Sequence, residues 1–141
     1  MSQITFINGR LVTPQGVVEG ALTATGETIT AIDGEPEGEI VDLDGGWLLP
    51  GFIDTQVNGG GGVLFNDDTT ADGIAAIGRA HRAYGTTGFL PTLISDELSV
   101  IDAAMRAVED AIAAGVPGVL GIHIEGPFIS RQRKGIHNPD L

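Results

Sequence analysis

Gly121-Ile122-His123-Ile124-Glu125-Gly126-Pro127-Phe128, followed closely by Lys134-Gly135-Ile136-His137-Asn138-Pro139, reads as a strand that delivers one carboxylate to a sharp break. Side chains alternate along a strand, so His123 and Glu125 share one face while Ile122 and Ile124 take the other. Gly126-Pro127 then stops the strand. In a parallel barrel the shared face is the interior, and Glu125 lies at the C-terminal rim, where active sites of such barrels gather.

Upstream of this stretch, strand and helix patterns alternate. Leu48-Leu49-Pro50-Gly51-Phe52-Ile53-Asp54 predicts a buried strand that runs to the glycines at 59–62. A helix is expected to start near Thr69, with Ile74, Ile77 and Tyr84 at helical spacing and Gly85 as its stop. Thr86 to Leu93 reads as a second strand. Ser95 is positioned to cap the next helix, and Asp96 and Glu97 suit its positive end. Leu98, Ile101, Met105, Val108 and Ile112 recur at spacings of three and four, which predicts a helix. Gly115 and Pro117 end that helix, and residues 118–125 form the third strand.

This order predicts an α/β fold with a parallel sheet. Three units are too few to close an eight-stranded (β/α) barrel, which takes about 250 residues. Either the sheet is small and open, or the residues are the front part of a barrel. The second is expected, because the sequence stops just after a site motif. The opening residues differ in kind. Ile4-Thr5-Phe6-Ile7 meets Asn8-Gly9, a hairpin-turn dipeptide. Short apolar runs follow at Val17-Val18, Ala21-Leu22, residues 29–32 and Ile40-Val41, and Thr13-Pro14-Gln15-Gly16 is a further turn. The expected organisation is a small β-strand domain over residues 1–46 and the first three β/α units of an incomplete TIM-type barrel over 47–141.

Composition narrows the function classes. A net charge of -12 argues against a nucleic-acid partner, since phosphate backbones require a positive surface. No apolar run approaches the roughly 20 residues that span a bilayer, and the N-terminus lacks the basic and apolar regions of a signal peptide. The 141 residues contain no cysteine, which removes disulfides and thiolate zinc sites and is compatible with a reducing cytoplasm, the expected location. Arg131, Arg133 and Lys134 fall together beside the carboxylate motif. They form either a solvated loop or a local attraction for an anion such as a sugar phosphate.

The residues that could carry chemistry are few. Glu125 is either a structurally paired carboxylate or a metal ligand. Gln56 and Asn58 share a face at the end of the first barrel strand; they form a polar turn or supply hydrogen bonds around a metal site. His137 lies in a loop and is either solvated or in contact with a substrate. His81 reads as a surface residue. The four glycines at 59–62 lack the Gly-Lys-Ser/Thr ending of a phosphate-binding loop; they let the backbone approach a ligand or fold tightly.

Leu49-Pro50-Gly51-Phe52-Ile53-Asp54-Thr55-Gln56-Val57-Asn58-Gly59, Phe89-Leu90-Pro91-Thr92-Leu93 and the two segments quoted first resemble, in order and spacing, the N-terminal part of the N-acetylglucosamine-6-phosphate deacetylase family of amidohydrolases. Pro-Gly-Phe-Ile-Asp is shared widely among amidohydrolases; the segments around Glu125 and His137 are specific. The resemblance implies hydrolysis of the acetamide of N-acetylglucosamine 6-phosphate to glucosamine 6-phosphate and acetate, with Glu125 as a metal ligand and Ile136 (through its backbone) and His137 as substrate contacts. It implies one divalent ion, expected to be Zn²⁺, because Gln56-Val57-Asn58 stands where other amidohydrolases carry His-x-His. It also implies a homodimer when complete. The family's two metal-binding histidines and its catalytic Asp, which come from later strands, have no match here, so no general acid or base is assigned within the chain and the isolated residues are expected to be inactive. Other expectations stay open: a dihydroorotase-like or adenine-deaminase-like enzyme, or a non-catalytic docking subunit.

Overall fold

Asn8-Gly9 forms a bulge inside a strand rather than the expected hairpin turn. The computed structural model describes residues 2–140, which fall into two compact units that divide between Pro50 and Gly51. In the first, β1 (Gln3–Thr13) runs through Asn8 and Gly9, and its pairing with β2 (Gly16–Thr25) shifts register between Phe6 and Gly9. Asn8 takes a φ of 54°, a conformation that Asn tolerates better than most side chains. Its Nδ2 donates to Asp42 Oδ1 at 3.0 Å. A Cβ at Gly9 would run into the Leu43 side chain. The chain reverses instead at Thr13-Pro14-Gln15-Gly16, where Thr13 Oγ1 donates to Gly16 O at 2.8 Å.

The two short strands expected at 17–18 and 21–22 are one continuous β2, because Glu19 and Gly20 stay paired with Arg10 and Gly9. β3 (Thr28–Ile32) adds antiparallel to β2, while β4 (Glu39–Asp42) and β5 (Trp47–Leu48) pair in parallel with β1. Trp47–Leu48 therefore belongs to this first sheet and not to the unit expected to begin at residue 47. The centre of the sheet is polar. Thr5 and Thr23 are buried with their hydroxyls 3.0 Å apart, and Thr5 also donates to Glu37 O at 2.6 Å.

The second unit is mixed α/β. Its three main strands are β6 (Phe52–Val57), β9 (Thr86–Ile94) and β10 (His123–Glu125), in the order β10-β9-β6 and all parallel. β9 is central, and Phe89, Pro91, Thr92 and Leu93 are buried. β6 is an edge strand. The strand expected to run from residue 48 to the glycine run forms over Phe52–Val57, but at the edge of the sheet: Phe52 and Ile53 are exposed and only Val57 is buried. The glycine run folds into a tight antiparallel pair, β7 (Gly59–Gly60) with β8 (Val63–Leu64), turning through positive φ at Gly61 and Gly62. Residues 118–122 do not continue β10. Gly118 has φ +85°, and only a single bridge joins Val119 to Phe89.

Helix α1 (Ala71–Arg82) is capped by Thr70, whose hydroxyl accepts from Gly73 N at 3.0 Å. It buries Ile74 and Ile77; Tyr84 falls beyond its end and is 85% exposed, so it is not part of that face. Helix α2 (Leu98–Ala113) has Glu97, not Ser95, at its N-cap, with no side-chain cap bond. Its buried residues are Ala104, Ala107, Val108 and Ala111, whereas Leu98, Met105 and Ile112 are exposed. The buried face is set by alanines, which let the helix approach α1 and β9 closely. Among the described residues no helix is long and apolar enough to cross a membrane.

Phe89 sits at the centre of a core with Val57, Phe65, Ile74, Ile77, Leu93 and Val108. Gly78 of α1 lies directly over its ring: a Cβ there would come within 2.8 Å of a ring carbon. Alanine gains about 1 kcal/mol over glycine in a helix, but overpacking a tight core costs about 1–3 kcal/mol, and the buried ring has nowhere to move. Gly78→Ala should therefore lower the urea midpoint by the equivalent of about 1 kcal/mol, and Phe89→Ala by about 3–5 kcal/mol. A raised midpoint in Gly78→Ala would show that the helix does not pack against Phe89 as described.

Candidate active site

Glu125 is the last residue of β10 and pairs with Ile94, the last of β9. Gly126 follows at φ +104°, and the Gly126–Pro127 peptide bond is cis. The chain then passes through a short 3-10 turn, Arg131–Arg133, and returns to bring His137 back onto Glu125. That return is held by His137 N donating to Lys134 O at 3.0 Å and by Lys134 Nζ donating to His137 O at 3.3 Å.

His137 is buried, with 6% exposure. Its Nε2 is 3.3 Å from Glu125 Oε1, and its Nδ1 is 3.0 Å from Ser95 Oγ. The second carboxylate oxygen, Oε2, accepts from Gln56 Nε2 at 2.9 Å. Three of the residues singled out in the sequence thus converge: Gln56 near the end of β6, Glu125 at the end of β10, and His137 folded back over both. Gln56 and Glu125 lie at the C-terminal ends of parallel strands, where open α/β sheets and barrels place their chemistry, and the loop brings His137 to them. The Glu125 side chain remains 32% exposed, so the site is open to a small molecule.

Other candidates are not part of this set. Asn58 is half-buried and its carbonyl accepts from Phe65 N at 2.9 Å, but among the described residues its amide is not bonded to Glu125 or His137. Ile136 is 83% exposed. Arg131 and Arg133 are exposed on the loop, whereas Lys134 is drawn in by its bond to His137. His81, expected on the surface, is half-buried, and its Nε2 lies 2.9 Å from Gly59 O, fastening the glycine hairpin to α1. His123 sits on the Glu125 face with Nδ1 3.2 Å from Thr92 Oγ1. Two hollows of about 320 and 440 Å³ open elsewhere, on the first unit, around Arg10 and Glu19 and around Thr23 and Thr30.

Sequence reasoning missed Ser95, taken as a helix cap, and Asn66. The Asn66 amide brackets the end of β9, accepting from Ile94 N at 3.1 Å and donating to Ile94 O at 3.2 Å and Asp96 Oδ2 at 2.8 Å. The signal for Ser95 was its place, one residue past a central strand. A carboxylate, an imidazole and an amide at one point suit part of a divalent-cation site. A catalytic zinc needs about three protein ligands, and among the described residues no group of three or more His, Cys, Asp or Glu side chains gathers to supply them.

No protein-family model matches the chain. An N-acetylgalactosamine-6-phosphate deacetylase of Shewanella sp. (strain ANA-3) is 50% identical over 97 residues, 69% of this chain and 25% of that protein. An N-acetylglucosamine-6-phosphate deacetylase of Haemophilus influenzae is 37% identical over 124 residues, 85% of this chain and 32% of that protein. The crystal structure of N-acetylglucosamine-6-phosphate deacetylase from Pasteurella multocida superposes with a TM-score of 0.92 at 33% identity, covering 98% of this chain and 38% of that one. In sequence and backbone the chain matches part of an N-acetylglucosamine-6-phosphate deacetylase. It spans about a quarter to two-fifths of the length of these deacetylases.

The junction of the site is Gly126, where a Cβ would collide with Ser95 Oγ and where φ is already unfavourable for any other residue. Gly126→Ala should cost about 2–4 kcal/mol of stability from strain and overpacking together, read from denaturant unfolding. It should also shift the His137 ring resonances. Wild-type stability in this variant would mean that the strand end is looser than described.

Proposed function

We propose that the protein to which these residues belong hydrolyses the acetamide of an N-acetylhexosamine 6-phosphate, consuming water and releasing acetate and the amino-sugar phosphate. The observation that carries this is the meeting of Gln56, Glu125 and His137 at the C-terminal ends of parallel strands, in a backbone that superposes on a deacetylase. In this proposal the second unit is the front of a (β/α)₈ barrel and the first is part of a small β-domain. The protein works in the cytoplasm as a homodimer.

Glu125 contributes one ligand to a divalent cation, expected to be a single Zn²⁺, with the remaining ligands drawn from residues other than those described. When bound, such a cation supplies Lewis-acid polarisation of a carbonyl and a lowered pKa for water. The chain's own residues do the rest of what is proposed here. Gln56 holds one carboxylate oxygen of Glu125 and so fixes its orientation. His137 presents Nε2 at the same point, where it meets the acetyl oxygen or a sugar hydroxyl. The backbone at Ile136 borders the sugar.

The relative at 50% identity is named for the galacto epimer and the one at 37% for the gluco epimer. The two sugars differ only at C4, so both belong in the assay, with acetate release as the readout. In the longer protein, Gln56→Ala should reduce turnover about 10–100-fold, the usual cost of losing a group that orients a ligand, and Glu125→Ala should reduce it further. Undiminished turnover in Glu125→Ala would remove its metal role. The 141-residue chain alone should release no acetate. Added Zn²⁺ should shift its melting by no more than about 1 °C, since one carboxylate and one imidazole bind weakly and stabilisation follows RT ln(1 + [L]/Kd).

A further inference from the structure

Two supports of the site are consecutive residues at the end of β9. Ile94 is the register partner of Glu125, and Ser95 places its hydroxyl 3.0 Å from His137 Nδ1. β6 gives β9 no partner beyond Pro91, which opposes Val57. The last backbone groups of β9 are held instead by Asn66, from the connection between β8 and α1, 28 residues away in sequence. A primary amide has one acceptor oxygen and two N–H groups, and all three are engaged here. Oδ1 accepts from Ile94 N at 3.1 Å, while Nδ2 donates to Ile94 O at 3.2 Å and to Asp96 Oδ2 at 2.8 Å. The amide thus grips the residues on either side of Ser95. Its orientation is fixed by its partners: turned over, it would set N–H groups against Ile94 N and its oxygen against Ile94 O and the Asp96 carboxylate. A carboxylate in its place could only accept, so it would lose both donors and face a like charge on Asp96.

We propose that Asn66 is a positioning residue: by clamping Ile94 and Asp96 it fixes the corner that carries Ser95, and through Ser95 it sets where the His137 ring stands beside Glu125. Gly126 packs against Ser95 with no room for a Cβ between them, so a displaced Ser95 also disturbs the junction that follows Glu125. Groups that touch no ligand but orient those that do are a general means of tuning a site. The effect of Asn66 on turnover rests on the function proposed above. Its effect on the geometry of the corner does not.

The test separates the two. In nuclear Overhauser spectra of the chain at neutral pH, the Ser95 β-protons are expected to give cross-peaks to the His137 ring. Methyl resonances shifted by the Phe89 ring report whether each variant is folded. Asn66→Asp removes both donors at nearly constant size and is expected to abolish the Ser95–His137 cross-peaks. Asn66→Asp combined with Asp96→Asn returns an N–H between the two side chains and leaves an acceptor for Ile94 N, and is expected to restore them. If Asn66→Asp does not fold, Asn66→Ala, which removes the bonds without adding a charge, is read in its place. Cross-peaks retained in the folded single variant overturn the proposal, as does their absence from the folded double variant. In the longer protein, Asn66→Asp is expected to lower kcat for N-acetylglucosamine or N-acetylgalactosamine 6-phosphate about 10-fold with KM changed by less than about twofold, and Asp96→Asn to recover most of the loss. Absent wild-type turnover with the expected cross-peaks would count against the function alone. Full turnover in Asn66→Asp would count against Asn66.

Discussion

The parallel pairing of β9 between β6 and β10 is the constraint on which the second unit depends. β9 is buried by helices on one side, and its hydrogen bonds on both edges set the height at which its neighbours stop. Ile94 opposes Glu125, and Pro91 opposes Val57. Because parallel strands all point the same way, their C-terminal ends share one edge of the sheet, with β10 level with the end of β9 and β6 stopping short of it. A carboxylate, an amide and a hydroxyl that are far apart in sequence therefore reach one small region. Asn66 reinforces this by closing the free backbone groups of Ile94 with its side-chain amide, which would otherwise be left unpaired where the sheet ends.

Much of the second unit was legible in the sequence, because period and punctuation are strong there. Strand β9, both helices and the break after Glu125 follow from apolar spacing and from Gly and Pro at the ends. The errors have a common cause: a local rule competing with a tertiary one. Ser95 fits the composition of a helix cap, but a buried imidazole claimed its hydroxyl. Phe52 and Ile53 look like a core strand, but β6 lies at the sheet edge. Asn8-Gly9 has the composition of a hairpin turn, and pairing on both sides of it turned the same dihedral preference into a bulge.

The site was legible in its members more than in its arrangement. Glu125 and His137 stand beside breaks that mark strand ends, and Gln56 lies at the matching end of β6. That His137 would be buried rather than solvated depends on the return of the chain after residue 130, which no periodicity reports. Lys134 is part of that return. Of the three neighbouring basic residues, only Arg131 and Arg133 keep their charges out in solvent.

The partners of Glu125 also differ in how much chain they must close. His137 is 12 residues away, whereas Gln56 is 69 residues away. Loop-closure entropy grows as (3/2)RT ln n, so the second contact carries about 1.5 kcal/mol more of entropic cost than the first. That excess is met only when β6 docks onto β9 and β9 onto β10. The Glu125–His137 pairing is thus a nearly local event, while the Gln56–Glu125 bond is a latch on the finished sheet. On closure entropy alone, the contact of the carboxylate with its imidazole is the less costly to form and the one that fixes its orientation the more costly.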